Sequence, residues 1–197
     1  MKIKVIIFVL IIFSLALRLY NIDYRSVNMD EDRQAHISAT GPFSLKPIYW
    51  AAKQQQPPLD YYLQSLTIKV FGMTELGIRV HAVLLGVGSV IIFFLIGFNL
   101  GIALPINSMG TALFALNPWM IRYSQEGRPI ASAVFFSCLT IMSVLSYLKG
   151  GRLRWAFLSQ FLLLLSAGFQ PIVFLIVSCI SLAPLLITNN FRNKVVS

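Results

Sequence analysis

The sequence predicts an all-α polytopic membrane protein with about six transmembrane helices and a long extracytoplasmic first loop that carries short interfacial helices. Three observations predict it. Hydrophobic residues fill 57% of the 197 positions and charged residues only 12%, about half the charged share of an ordinary soluble domain. The apolar residues are gathered into runs that match the roughly 30 Å core of a bilayer. Six of the seven acids lie between residues 21 and 77, which leaves Glu126 alone in the remainder.

A formal net charge of +9 does not make this a nucleic-acid binder, because the cations form no groove or stripe. Lys2, Lys4, Lys149, Arg152, Arg154, Arg192 and Lys194 stand just outside hydrophobic runs, where the positive-inside rule uses them as topology signals. Cys138 and Cys179 fall inside apolar runs and read as small membrane-helix residues, silent about redox compartment.

The whole chain, 1–197, reads as a single membrane domain. The first span covers 3–20. Its basic head and apolar core resemble a signal peptide, but Leu17, Leu19 and Tyr20 prolong the run to about 27 Å, with Arg18 able to snorkel. A catalytic-type loop follows over 21–75. Asn28 can cap a short helix, with Asp30 in its first turn and Glu31 at the third position as a variant capping box. Pro42 and Pro47 break the chain, and residues 48–54 suit an amphipathic turn on the membrane surface with Tyr49 and Trp50 at headgroup level. Pro57 and Pro58 stop that turn, a new helix covers 59–71, and Gly72 and Thr74 mark its end and the next start.

Further spans are expected at about 76–100, 103–119, 130–148, 155–169 and 172–187. Pro105, Asn107 and Gly110 interrupt the second of these, and Gln170-Pro171 separates the last two. Six spans place both termini on one side, with the basic loop 149–154 cytoplasmic. Every acid then falls on the extracytoplasmic face.

Asp30, Glu31 and Asp32 crowd at a helix start. Acids favour such positions through the helix dipole alone; beside an apolar surface they can also supply a general base for a hydroxyl. Asp32 and His36, at i and i+4, share a helix face and are weak candidates for a divalent cation; a solvated pair is the simpler account. Glu75 and Arg79 have the same spacing and are expected to pair. Arg122, Glu126 and Arg128 lie at the outer end of the third span, where arginines could fork onto a phosphate or anchor the loop to headgroups.

Four phrases in order carry a resemblance: Met29-Asp30-Glu31; Gln56-Pro57-Pro58-Leu59-Asp60-Tyr61-Tyr62-Leu63; Phe71-Gly72 through Glu75 to Arg79; and Pro118 through Tyr123-Ser124-Gln125-Glu126-Gly127-Arg128. The chain resembles the amino-terminal part of the dolichyl-phosphate-mannose protein mannosyltransferase-like family, membrane glycosyltransferases of the GT-C class. The resemblance implies a sugar moved, with inversion, from a polyprenyl-phosphate donor to an extracytoplasmic hydroxyl on a glycan, lipid or protein. It implies Asp30 as catalytic base with Glu31 beside it, and Glu126, Arg128, Arg79 and Glu75 around the donor phosphate and cavity. Gln56, Pro57, Pro58 and Tyr61 supply the loop motif. It implies a home in the plasma (inner) membrane, with the active face outside and nucleic acid no partner. The family often carries His, or a Glu-Lys pair, before the prolines; Gln56 stands there, so a metal is not implied. Family members are also generally longer, which leaves a second expectation: a non-catalytic relative that binds polyprenyl phosphate or serves as a subunit of a larger membrane complex.

The topology is testable by labelling. With Cys138 and Cys179 removed, single cysteines at Ser26 and Ser197 should react oppositely with an impermeant maleimide on intact cells, Ser26 strongly and Ser197 not at all. Equal labelling would refute it.

Overall fold

The computed structural model describes residues 2–24, 26–54, 56–171, 175 and 177–179. Among these residues the regular structure is entirely helical. Helix α1 runs Lys2–Leu19; the long loop contains α2 (Met29–Ser38), α3 (Lys46–Gln54) and α4 (Leu59–Phe71); α5 (Glu75–Asn99), α6 (Leu104–Leu116), α7 (Pro118–Ser124), α8 (Ile130–Gly150) and α9 (Leu153–Phe169) follow. The expected span 172–187 and the basic tail with Arg192 and Lys194 lie almost wholly outside the described residues.

Helices α5 and α8 are long and apolar enough to cross a membrane, and the apolar stretches Val5–Leu19, Leu104–Leu116 and Leu153–Phe169 are shorter. The outer faces agree with a lipid setting. Phe8, Val9 and Ile12 of α1, Ile106, Met109 and Leu113 of α6, and Phe157, Phe161 and Leu164 of α9 are all exposed. In water such faces would form apolar patches larger than a soluble monomer tolerates.

Local chemistry sets the helix ends much as the sequence suggests. Asn28 Oδ1 accepts from Glu31 N at 2.9 Å and caps α2. Gly72, at φ +75°, ends α4, and Thr74 Oγ1 accepts from Gly77 N to start α5. The third expected span, 103–119, is different. It is divided, because Asn117 leaves helical geometry at ψ 120° and its side chain caps Trp119 N and Met120 N ahead of Pro118 at the first position of α7. The 13 residues of α6 reach only about 20 Å.

Helix α5 is the central strut, packed against α1, α4, α6, α7 and α8, with α9 laid along α8. Gly86 permits one of the close approaches: a Cβ there would collide with Ser124 of α7 and meet Arg18 Nε of α1 at 3.0 Å. Arg18 does not snorkel outward. It is 1% exposed, donating to Ser14 Oγ at 2.6 Å and to Ser124 Oγ at 3.2 Å. Gln125 Nε2 completes the seam by donating to Tyr20 O at 2.9 Å. The end of α1 is thereby fastened to the turn between α7 and α8, the turn that carries Glu126 to Arg128.

Candidate active site

Glu31 and Arg79 are the buried charges on which the site is assembled. Glu31 lies at the third position of α2 and is 1% exposed; Arg79 lies in the second turn of α5 and is fully buried. The guanidinium donates Nε to Oε1 at 2.7 Å and Nη2 to Oε2 at 3.0 Å, a two-bonded fork. Nη1 donates to Ile22 O at 2.5 Å, and Glu31 Oε1 also accepts from Gly127 N at 2.7 Å. Sequence spacing had offered Glu75 as the partner of Arg79. The fork instead closes on Glu31, 48 residues away, because α2 folds back over the start of α5.

This clamp determines where its sequence neighbours stand. Asp30 adjoins Glu31 and Arg128 adjoins Gly127, so the bond between Glu31 and Gly127 brings Asp30 opposite Arg128. Arg128 Nη2 lies 3.4 Å from Asp30 Oδ2. Gly127 has little alternative as the residue at the crossing, since a Cβ would lie 2.7 Å from both Gln64 Nε2 and Ile78 O.

Beside this pair is a recessed cavity of about 80 Å³ lined by Asp30, Gln34, Gln56, Pro57, Tyr61, Arg128, Pro129 and Gln170. Residues named from three separate phrases of the sequence meet in it. Tyr61 Oη donates to Gln56 Oε1 at 2.8 Å. Burial, with the Asp60 charge next to it, raises the Tyr61 phenol above its ordinary value, so it remains a donor. With its oxygen engaged, Gln56 has its amide nitrogen to offer a ligand.

A second buried cluster backs the cavity. Asp60 is fully buried; Ser132 Oγ donates to its Oδ1 at 2.6 Å and Gln34 Nε2 to its Oδ2 at 2.7 Å. His81 Nε2 stands 3.5 Å from Oδ2, an ion-pair distance rather than an aligned hydrogen bond. Burial pushes the Asp60 carboxyl up, but the His81 charge and the donated hydrogen bonds outweigh it and hold the group below the usual carboxylate range. Ser38 Oγ donates to Gln64 Oε1 at 2.8 Å, and Gln64 Nε2 donates to Ile78 O at 3.1 Å and Gly127 O at 3.3 Å. The α2–α4 contact is therefore a polar ladder.

The remaining sequence candidates lie elsewhere. Glu126 is buried and accepts from Arg122 Nε at 3.1 Å, while the Arg122 guanidinium covers the Trp119 ring at 5.6 Å. Of the two arginines considered for a phosphate, Arg128 is the one lining the cavity. Glu75 is exposed at the start of α5, and Pro58 precedes α4. Asp32 and His36 are 3.5 Å apart, both largely exposed, on the opposite side of α2 in an open groove with Arg33, Lys46 and Trp50. Among the described residues no group of three His, Cys, Asp or Glu side chains is placed to hold a metal ion.

The family model for dolichyl-phosphate-mannose-protein mannosyltransferase matches residues 55–197. The chain belongs to this family. A relative from Aquifex aeolicus, described as an uncharacterized protein, is 27% identical over 133 residues, covering 64% of this chain. The match spans only 26% of that protein's length. No solved structure matches the chain. The family match begins at the Gln56-Pro57-Pro58 phrase and includes Arg79, Glu126 and Arg128; the α2 acids precede it.

Sequence reasoning missed Gln34, Asp60 and Ser132. Gln34 was within reach, since it follows Asp30 by four residues on one helix and shares its face. Asp60 stood inside the second phrase without a role of its own, and its partner Ser132, 72 residues away, gave no signal.

Removing one partner of a fully buried ion pair leaves an uncompensated charge and costs about 3–5 kcal/mol. Glu31→Ala and Arg79→Ala should each destabilise the detergent-solubilised protein by that order, and the double variant by less than the sum. Unfolding curves in denaturant would measure this; single variants as stable as wild type would refute the clamp.

Proposed function

We propose that this chain carries the amino-terminal site of a membrane glycosyltransferase of the GT-C class, which transfers a sugar with inversion from a polyprenyl-phosphate donor to an extracytoplasmic hydroxyl. The observation that carries the reading is the meeting of Asp30 and Arg128 at the rim of one polar cavity, 98 positions apart in sequence, within a chain of the mannosyltransferase family.

The chemistry divides between them. Arg128 has a planar fork suited to two oxygens of a phosphate, and the donor phosphate would draw it from Asp30. Asp30 is then left to take the proton of the acceptor hydroxyl as that oxygen attacks the anomeric carbon. The bond from that carbon to the phosphate oxygen breaks, and the departing polyprenyl phosphate keeps the electron pair. Arg128, once drawn onto the donor phosphate, is already in place to stabilise it as the bond breaks. Glu31 and Arg79 hold this geometry from below, and Glu126 steadies Arg122 at the same turn.

The membrane setting suits a lipid donor. The loop between α2 and α3 and the start of α3 expose Phe43, Leu45, Ile48 and Tyr49, which suits α3 to lie in the headgroup layer beside a cavity that a lipid phosphate enters laterally. In this reading the chain crosses the plasma membrane about six times, with both termini cytoplasmic and the cavity outside.

Asp30→Asn should lower transfer roughly 10²–10⁴-fold, the ordinary contribution of a general base, while the protein stays inserted and folded. Asp32→Asn should do much less, since Asp32 faces the other groove. Near-normal turnover in Asp30→Asn would remove the base assignment. Separately, Arg128→Ala should weaken binding of polyprenyl phosphate about 10- to 100-fold, and Arg128→Lys should recover only part of it. Native mass spectrometry against uncharged polyprenol is the measurement; equal binding of the two lipids by wild type would remove the phosphate site.

A further inference from the structure

Gln34 stands at the back of the cavity with its two amide atoms in different situations. Its nitrogen donates to Asp60 Oδ2 at 2.7 Å. Its oxygen accepts no hydrogen bond from any described residue, although the side chain is only 5% exposed and lines the cavity. An Asn or Gln amide can in principle be turned end for end. Here it cannot, because the partner is a carboxylate, which only accepts. Ser132 Oγ donates to the other carboxylate oxygen at 2.6 Å, so Asp60 is held by a donor on each oxygen and Gln34 stays oriented with its nitrogen inward.

From this geometry we infer that Gln34 is a specificity-determining residue, whose carbonyl oxygen accepts a hydrogen bond from a ring hydroxyl of the sugar on the lipid donor. The inference rests on the proposed glycosyl transfer. Asp30 is engaged by the acceptor and Arg128 by the phosphate, and the sugar lies between them. Its hydroxyls then meet the remaining polar wall: the Gln34 oxygen, the Gln56 and Gln170 amides and the Tyr61 hydroxyl. A sugar hydroxyl is both donor and acceptor, and a wall presenting one fixed acceptor reads its position. Asp60 and Ser132 act through Gln34 and are positioning residues.

A site built to accept one hydroxyl hydrogen bond loses that contact when the sugar is absent or the acceptor is turned away. The test compares two lipids on the purified full chain by native mass spectrometry: bare polyprenyl phosphate, and the same lipid phosphate carrying mannose, glucose or galactose. Wild type should bind at least one glycosylated lipid more tightly than the bare one. Gln34→Met, close in volume, removes both the acceptor toward the cavity and the donor to Asp60; it should cut that sugar increment roughly 3- to 10-fold and leave affinity for bare polyprenyl phosphate, held through Arg128, unchanged. That unchanged affinity is also the folding control.

Asp60→Asn is the second variant. Its neutral amide can face Gln34 with nitrogen or oxygen, because Ser132 can accept as well as donate, so Gln34 is no longer held in one orientation and its acceptor toward the cavity is lost part of the time. The increment should fall although nothing lining the cavity has been replaced, an outcome that mere loosening would not confine to the sugar. If both variants keep the full increment, or if none of the three sugars raises affinity in wild type, the inference is overturned. If wild type fails to bind bare polyprenyl phosphate, it is the proposed function that fails.

Discussion

The bidentate contact between Glu31 and Arg79 is the constraint on which the rest of this structure depends. Two ions taken out of water repay their desolvation only with good geometry and with every remaining hydrogen-bonding position occupied. Here the carboxylate has the guanidinium fork and the Gly127 amide, and the guanidinium also reaches the Ile22 carbonyl. Three distant pieces of chain are locked by those bonds: the approach to α2, the second turn of α5 and the turn before α8. A buried pair of this kind specifies one arrangement more than it adds net stability. The specified arrangement is the one that sets Asp30 against Arg128.

Around the clamp the protein departs from the usual division of apolar inside and polar outside. Helix α2 buries Glu31, Gln34 and Ser38, and α4 buries Asp60, Gln64 and Ser65. These polar faces meet by hydrogen bonds between side chains. The cost is that each polar atom needs a partner. The two His81 ring nitrogens and Ser65 Oγ have no hydrogen-bond partner among the described residues, which marks the α4–α5 contact as the least satisfied part of the ladder.

A division of labour follows between adjacent residues. In each pair of neighbours, one is spent on structure and the other on the cavity: Glu31 and Asp30, Gly127 and Arg128, Asp60 and Tyr61. Helical and turn geometry make this possible, since neighbours along a chain point in different directions. Rigid support directly behind the groups that line a cavity is what holds them within the narrow tolerance that catalysis or selective binding demands.

The sequence by itself determined the class of the protein and the boundaries of most of its helices. Hydropathy marks α5 and α8; Asn28, Pro57-Pro58, Gly72 and Thr74 mark ends that depend only on local backbone chemistry, and the structure places helix ends there. Three of the four phrases of the family, similarly local in sequence, named Asp30, Gln56, Tyr61 and Arg128, which come together. The tertiary structure alone decided the partners. Arg79 looked paired with Glu75 because the i, i+4 rule sees only one helix, and Arg18 looked outward because a terminal arginine can usually reach water. Both turned inward to groups far away in sequence, Glu31 and Ser124. Hydrophobic periodicity could not have shown this, because the faces that meet between α2 and α4 are polar. Which acid holds the fold and which faces the cavity was settled by the direction of each side chain once α2 lay across α5, a three-dimensional fact that no spacing along the chain encodes.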